Sequence, residues 1–238
     1  SSIAFDSSAG KVVIAYRDTA NSGKGTLVSG TVSGTGISFQ SPAVFESGSV
    51  QWIATAFDSN ANKVVISYRD DGNSNCGTSV VFQNESTTLT AENYIGISSG
   101  VVDVNSVTQV VGSAAVFESA VSDVISATFD SNLNKVVISY QDEGNSGYGT
   151  SVIGTVSGTS ISFGTPVVFE SANTDYISST FDSNSNKVVI AYRDLGDGAR
   201  GKGIVGTVSG TTISFGTAAD FNSTELEETS ITFDSNSN

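Results

Sequence analysis

The sequence predicts an all-β protein, a β-propeller built of four-stranded antiparallel blades. Three observations predict it. Phe-Asp-Ser recurs at Phe5, Phe57, Phe129, Phe181 and Phe233, in steps of 52, 72, 52 and 52 residues. Each period holds four apolar runs with turn residues between them, the strand number and period of a propeller blade. Gly, Ser or Asn interrupts every longer stretch, which leaves no room for a sizeable helix.

The period divides the 238 residues into one repeat domain, 1–238. Repeats fall at approximately 1–52, 53–124, 125–176 and 177–228, and 229–238 is the first strand of a fifth. The longer step marks a 20-residue insertion around 84–108, in the hairpin between the third and fourth strands of the second repeat. Its Leu89, Tyr94, Ile95 and Ile97 are apolar enough to pack against something. Residues 229–238 repeat columns already present in 1–10, and the chain starts at Ser1 with no methionine. A piece of a longer array is therefore expected; the alternative is that one copy displaces the other to close the ring, and a homo-oligomer is the other partner expectation.

The fourth repeat is the fullest. Its first run, Ile177–Phe181, is closed by the polar turn Asp182-Ser183-Asn184-Ser185-Asn186. The small residues Ser178, Ser179 and Thr180 suit a crowded innermost strand. The second run is Lys187–Asp194, where Val188, Ile190 and Tyr192 face one way and Val189 and Ala191 the other. Both faces are apolar, as a strand sandwiched between neighbouring blades requires. A Gly/Asp loop leads to the third run, Gly203–Val208, and Ser209-Gly210-Thr211 turns into the fourth, Thr212–Phe221. A β-solenoid is the competing architecture, but its coils would be shorter and free of internal hairpins. Two phenylalanine columns are expected to be buried equivalently in every repeat: Phe5, Phe57, Phe129 and Phe181, and Phe45, Phe117, Phe169 and Phe221.

Composition excludes several function classes. The net charge is −14, so phosphate backbones are repelled and nucleic acid is not an expected partner. There is no histidine, which removes imidazole bases, histidine triads and histidine-ligated zinc. The single cysteine, Cys76, permits no intrachain disulfide and reads as a small loop residue. No apolar run is long enough to span a membrane, so no membrane insertion is expected. An acidic surface in this setting suits an extracellular, cell-surface or virion location.

Comparison among repeats separates framework from variable positions. Lys-Val-Val-Ile and Tyr-Arg-Asp recur, with Tyr140-Gln141-Asp142 in the third repeat. The stretch before strand one varies: Gln51-Trp52, Asp123-Val124, Asp175-Tyr176, Glu227-Glu228. So does the loop after a steady Asn column (Asn21, Asn73 and Asn145, with Asp197 in the fourth repeat), at Lys24, Cys76, Tyr148 and Arg200. In a propeller these two loops open on one face. The candidate ligand residues are therefore Trp52, Tyr176, Gln51, Asp175, Arg69, Asp70, Asn73, Arg193, Asp194 and Asp197. Aromatic faces with amides, carboxylates and guanidinium groups stack on sugar rings and bond their hydroxyls. The stronger reading of Tyr-Arg-Asp is a lateral staple between blades. The turn residues Asp58, Asn60, Asn62, Asp130, Asn132, Asn134, Asp182, Asn184 and Asn186 begin like a calcium loop. They lack its glycine at position six and glutamate at position twelve, so plain Asx turns are favoured, with no cofactor and calcium as the alternative.

The tandem block, seen as Phe181-Asp-Ser-Asn-Ser-Asn-Lys-Val-Val-Ile with Gly154-Thr-Val-Ser-Gly-Thr, resembles repeats in large proteins of marine bacteria, cyanobacteria, phages and algal viruses. Leu89–Ser98 is similar to a segment of phage tail-fibre-like proteins. The resemblance implies an adhesion role and carries over no catalytic residue. The function expected is non-enzymatic multivalent recognition, of carbohydrate or a cell surface. The alternative is a structural spacer or assembly domain of a fibre, capsid or surface layer. A propeller glycosidase is least favoured, because carboxylates that repeat with the blades have the wrong symmetry for one active centre. Glu85, Glu92 and Asp103 of the insertion would be its candidates.

Overall fold

Residues 1–86 and 107–236 are described by the computed structural model, the side chains of 85, 86, 107 and 108 excepted. Glu92, Asp103 and the apolar residues of the insertion lie outside them. The described residues form seventeen strands, all paired antiparallel, with three 3-10 turns and no α-helix.

The repeat unit follows the first three predicted runs, while the fourth, Thr212–Phe221, is split at 216–218 into two strands. In the first repeat β1 (Ser2–Asp6), β2 (Lys11–Asp18), β3 (Lys24–Ser33) and β4 (Gly36–Phe39) pair in succession. The same order recurs in β6 (Lys63–Asp70), β7 (Cys76–Ser86) and β8 (Val107–Val111), then in β10 (Lys135–Asp142), β11 (Tyr148–Ser157) and β12 (Ser160–Phe163). The fourth repeat contributes β14 (Lys187–Asp194), β15 (Arg200–Ser209), β16 (Thr212–Phe215) and β17 (Ala219–Glu225). The first hairpin turn is set by its aspartate. Asp58 Oδ1 accepts from the amides of Asn60 and Ala61, and Asp6, Asp130 and Asp182 do the same in their turns.

Between repeats the chain runs straight on. The 16-residue strand β5 (Ala43–Asp58) completes the first repeat by pairing Ala43–Ser49 with β3, and opens the second by pairing Val50–Asp58 with β6. Strands β9 (Ala115–Asp130) and β13 (Val167–Asp182) bridge their repeats in the same way. The variable stretch before strand one is therefore not a loop, as its sequence suggests. It is a β-bulge inside a continuous strand. Gln51 pairs with Arg69 and Ala54 with Ser67, so Trp52 and Ile53 together oppose Tyr68.

The core lies between repeats. Val13, Ala15, Leu27 and Phe45 of the first pack on Val64, Ile66, Tyr68, Val80 and Phe82 of the second. Val65, Val81 and Phe117 meet Val136, Ile138, Tyr140 and Val152, and Val137, Ile153 and Phe169 meet Val188, Ile190, Tyr192 and Ile204. Each interface carries a phenylalanine on a tyrosine, at 5.2 Å for Phe45–Tyr68 and 5.1 Å for Phe117–Tyr140 and Phe169–Tyr192. A glycine underlies each ring: a Cβ on Gly25, Gly77 or Gly149 would strike Phe45, Phe117 or Phe169.

Two expectations need correction. The sheet is open rather than closed into a ring. The phenylalanine columns are also not uniformly buried. Phe181, Phe45, Phe117 and Phe169 are buried, Phe57 and Phe129 are half-buried, and Phe5 and Phe221 are 58% and 57% exposed. The physical reason is position. Among the described residues no repeat covers the face of the first repeat that carries Phe5, nor the face of the fourth that carries Phe221.

Candidate functional site

The bulges place their side chains where flat strands would not. Trp52, Val124 and Tyr176 are the first bulge residues and adopt φ of 50°, 50° and 48°. That left-handed conformation costs a non-glycine residue about 1–2 kcal/mol, and glycine normally occupies it in such bulges. This chain, with 25 glycines, instead puts two aromatics and a valine there.

The three bulges come together. Trp52, Val124 and Tyr176 line one cavity of about 230 Å³, with Gln141 and Asp175 supplying its polar groups. A neighbouring cavity of about 280 Å³ is lined by Ser1, Arg17, Val50, Gln51, Ile53 and the same Trp52. Trp52 is 46% exposed and Tyr176 37% exposed, so both side chains reach solvent. The sequence suggested separate sites at each junction; the structure gathers residues of successive repeats around shared hollows.

The charged residues nearby are held by one another. Arg193 grips Asp175 through Nε and Nη2, at 2.6 and 2.5 Å, and its guanidinium stands 4.5 Å over the Tyr176 ring. The bond to Asp175 raises the pKa of Arg193. This clamp orients both Asp175 and Tyr176 at the cavity wall. Arg69 donates to Asp71 at 2.9 Å and also to Asp123 of the following bulge. Burial acts to raise the pKa of Asp71, but hydrogen bonds from Gln51, Arg69 and Ser49 outweigh it and hold the carboxyl below its usual range. In the third repeat Gln141 takes the arginine position and donates to Asn173.

The other candidates lie elsewhere. Asp70 and Asp194 are buried at the inter-repeat junction, each accepting from a turn amide, Gly72 or Gly196. Burial, and then the charge of Glu46, pushes Asp70 up; burial and Glu118 do the same to Asp142. In each junction a tyrosine hydroxyl donates to the glutamate: Tyr68 to Glu46, Tyr140 to Glu118, Tyr192 to Glu170. Lys202 bonds Asp194 at 2.7 Å and Asp197 at 3.1 Å, so Asp197 belongs to this cluster and not to the cavity. Asn73 closes a turn through its backbone, accepting from Cys76 N. Sequence reasoning missed Arg17, Asp71, Asp123 and Gln141, although the exchange of Arg for Gln within the Tyr-Arg-Asp column is a visible signal.

The calcium-like turns use Asp58, Asp130 and Asp182 to cap their own backbone, and Asn62, Asn134 and Asn186 take φ of 55°, 57° and 56°. Asn60, Asn132 and Asn184 contribute their amide N–H groups to these caps. Among the described residues no three acidic, histidine or cysteine side chains gather as a metal would need. Cys76 is buried, with its thiol donating to Ser119 O. Compared with protein-family models and with curated proteins, the chain matches no family and no curated protein.

Proposed function

We propose that the chain is a non-enzymatic recognition module that holds a carbohydrate of an extracellular, cell or virion surface at the cavity of Trp52, Val124 and Tyr176. The observation that carries this reading is the bulge itself. A strained backbone position that favours glycine presents two half-exposed aromatic rings to one hollow. Backbone strain of this kind is retained where surrounding structure and function demand it. A sugar ring stacks its C–H face on the indole of Trp52, and Asp175 and Gln141 bond its hydroxyls. Stacking and each hydrogen bond contribute about 1 kcal/mol, which places a single cavity near millimolar affinity, ~1 mM. Repetition of such modules raises the avidity. The bulge residues converging on common hollows also support the four repeats as propeller blades set in an open arc, with the faces of the first and fourth not meeting.

Trp52 is the only tryptophan, so emission excited selectively at the indole reports on this residue and the two cavities it lines. Titration with a panel of neutral and acidic glycans should shift or quench it saturably. Trp52→Ala with Tyr176→Ala should abolish binding on a glycan array while circular dichroism stays unchanged. A folded double variant that binds as the wild type does would place the ligand elsewhere.

A further inference from the structure

The column that carries Arg17, Arg69 and Arg193 carries Gln141 in the third repeat. The exchange falls at the wall of the cavity of Trp52, Val124, Tyr176, Gln141 and Asp175. The second repeat shows what an arginine does in this column. Arg69 pairs with Gln51 of its own bulge, and its Nη1 reaches Asp123 of the following bulge. The corresponding carboxylate one repeat later is Asp175. An arginine at 141 on the same path would bring its guanidinium to Asp175, into the cavity. Gln141 is shorter. It turns to Asn173, donating from Nε2 at 2.9 Å, and is only 8% exposed.

Resting on the reading of this cavity as a carbohydrate site, we propose that Gln141 sets the class of sugar it takes. The length of Gln141 keeps the hollow open, and its chemistry selects neutral sugars that donate hydroxyl hydrogens over acidic ones. Nε2 is engaged by Asn173, which leaves Oε1 to accept from a ligand. Asp175 is an acceptor as well, fixed by Nε and Nη2 of Arg193. Two placed acceptors suit the hydroxyls of a sugar. Among the described residues the cavity lining holds no cation. The guanidinium groups of Arg69 and Arg193 are committed to Asp71, Asp123 and Asp175. A uronate would therefore enter with its charge unpaired, beside Asp175, on a chain of net charge −14.

Local charge shows why a glutamine is tolerated here. Gln141 pairs in register with Asp123, as Arg193 pairs with Asp175. Asp123 already accepts from Arg69, and Asp175 already accepts from Arg193. A third guanidinium would have no carboxylate of its own and would share Asp175 with Arg193. The exchange of Arg for Gln thus opens space at the cavity wall without leaving a carboxylate unpaired.

The test is binding followed by Trp52 emission, with neutral hexose oligomers and uronic acid oligomers of the same length as probes. Tyr176→Ala identifies the shifts that arise here, since Tyr176 lines this cavity and not the neighbouring one. Among those shifts, neutral oligomers should give a saturable change and uronic acid oligomers none, a comparison that needs no variant at 141. Gln141→Arg should weaken the neutral oligomers at least about tenfold, with unchanged circular dichroism. Gln141→Ala keeps the space and removes one acceptor, so it should weaken them only about fivefold. Uronic acid oligomers that bind here as tightly as neutral ones overturn the proposal. So does a folded Gln141→Arg protein that binds as the wild type does, or a Gln141→Ala protein that loses as much as Gln141→Arg. If no oligomer of either class gives a shift that Tyr176→Ala removes, the carbohydrate reading itself fails, and the proposal with it.

Discussion

At the residue scale the junctions between repeats show how one substitution changes local electrostatics. Position 202 is a lysine, and its ammonium bonds Asp194 and Asp197. Thr26 and Thr78 occupy the same column, and their buried hydroxyls have no hydrogen-bond partner. Without a lysine, Asp70 is pushed up by burial and by Glu46. Its proton is then held more tightly in the native state than in the unfolded chain. Native stability accordingly gains from this group as pH falls through the raised value, where the buried charge disappears. Thr78→Lys should supply the missing cation and remove an unpaired hydroxyl. It is expected to stabilise at neutral pH by about 1 kcal/mol, and the advantage should shrink on acidification through the raised value of Asp70. Thermal melts of both proteins at neutral and mildly acidic pH check this. An advantage that grows with acid would show that the lysine acts by packing. Residue-level chemistry of this kind was partly legible: the Tyr-Arg-Asp column stood out because it repeats. Its glutamate partners did not, since Glu46 and Tyr68 are brought together only by strand pairing across a junction.

At the element scale the bulged strands decide the site. Four apolar runs and their turns could be read directly from alternation and from Asp-Ser-Asn signals, because both depend on neighbours in sequence. The bulge could not. Nothing in Gln51-Trp52-Ile53 resembles a glycine bulge, and a variable polar stretch between two runs looks like a loop. Only the register, with Tyr68 facing both Trp52 and Ile53, exposes it. The strain makes a prediction at Val124, the β-branched member of the set with φ of 50°. Val124→Gly relieves about 1–2 kcal/mol of left-handed cost and loses side-chain contacts and unfolded-state entropy of about 1 kcal/mol. The net change should be small. The next residue, Ile125, is buried, and the same replacement there should cost about 2–5 kcal/mol. Denaturant midpoints of the two variants compare them directly. If Val124→Gly is as damaging as Ile125→Gly, the bulge side chain is a packing residue and its conformation carries no strain to release.

At the scale of the whole molecule, equal sequence does not mean equal burial. Phe5 and Phe181 have the same motif and the same place in their repeats, yet one is 58% and the other 9% exposed. Periodicity predicts which face of a strand is apolar, but what covers that face depends on the neighbouring repeat. In arrays of this type each repeat gains stability mainly from its contacts with the next one. The cost of truncating a ring should therefore follow its place along the array. Phe117 and Phe169 lie in complete interfaces, each against a tyrosine and, at 5.8 and 5.7 Å, against Phe163 and Phe215. Phe117→Ala and Phe169→Ala should each cost about 3–5 kcal/mol. Phe221 has the same glycine beneath it but no tyrosine above it, and more than half of its surface already meets water. Phe221→Ala and Phe5→Ala should each cost less than about 1 kcal/mol in the monomer. Chemical unfolding at a concentration low enough to keep the chain monomeric measures all four. Four equal penalties at low concentration would mean that the end faces are covered within one chain, and that the array closes on itself in solution.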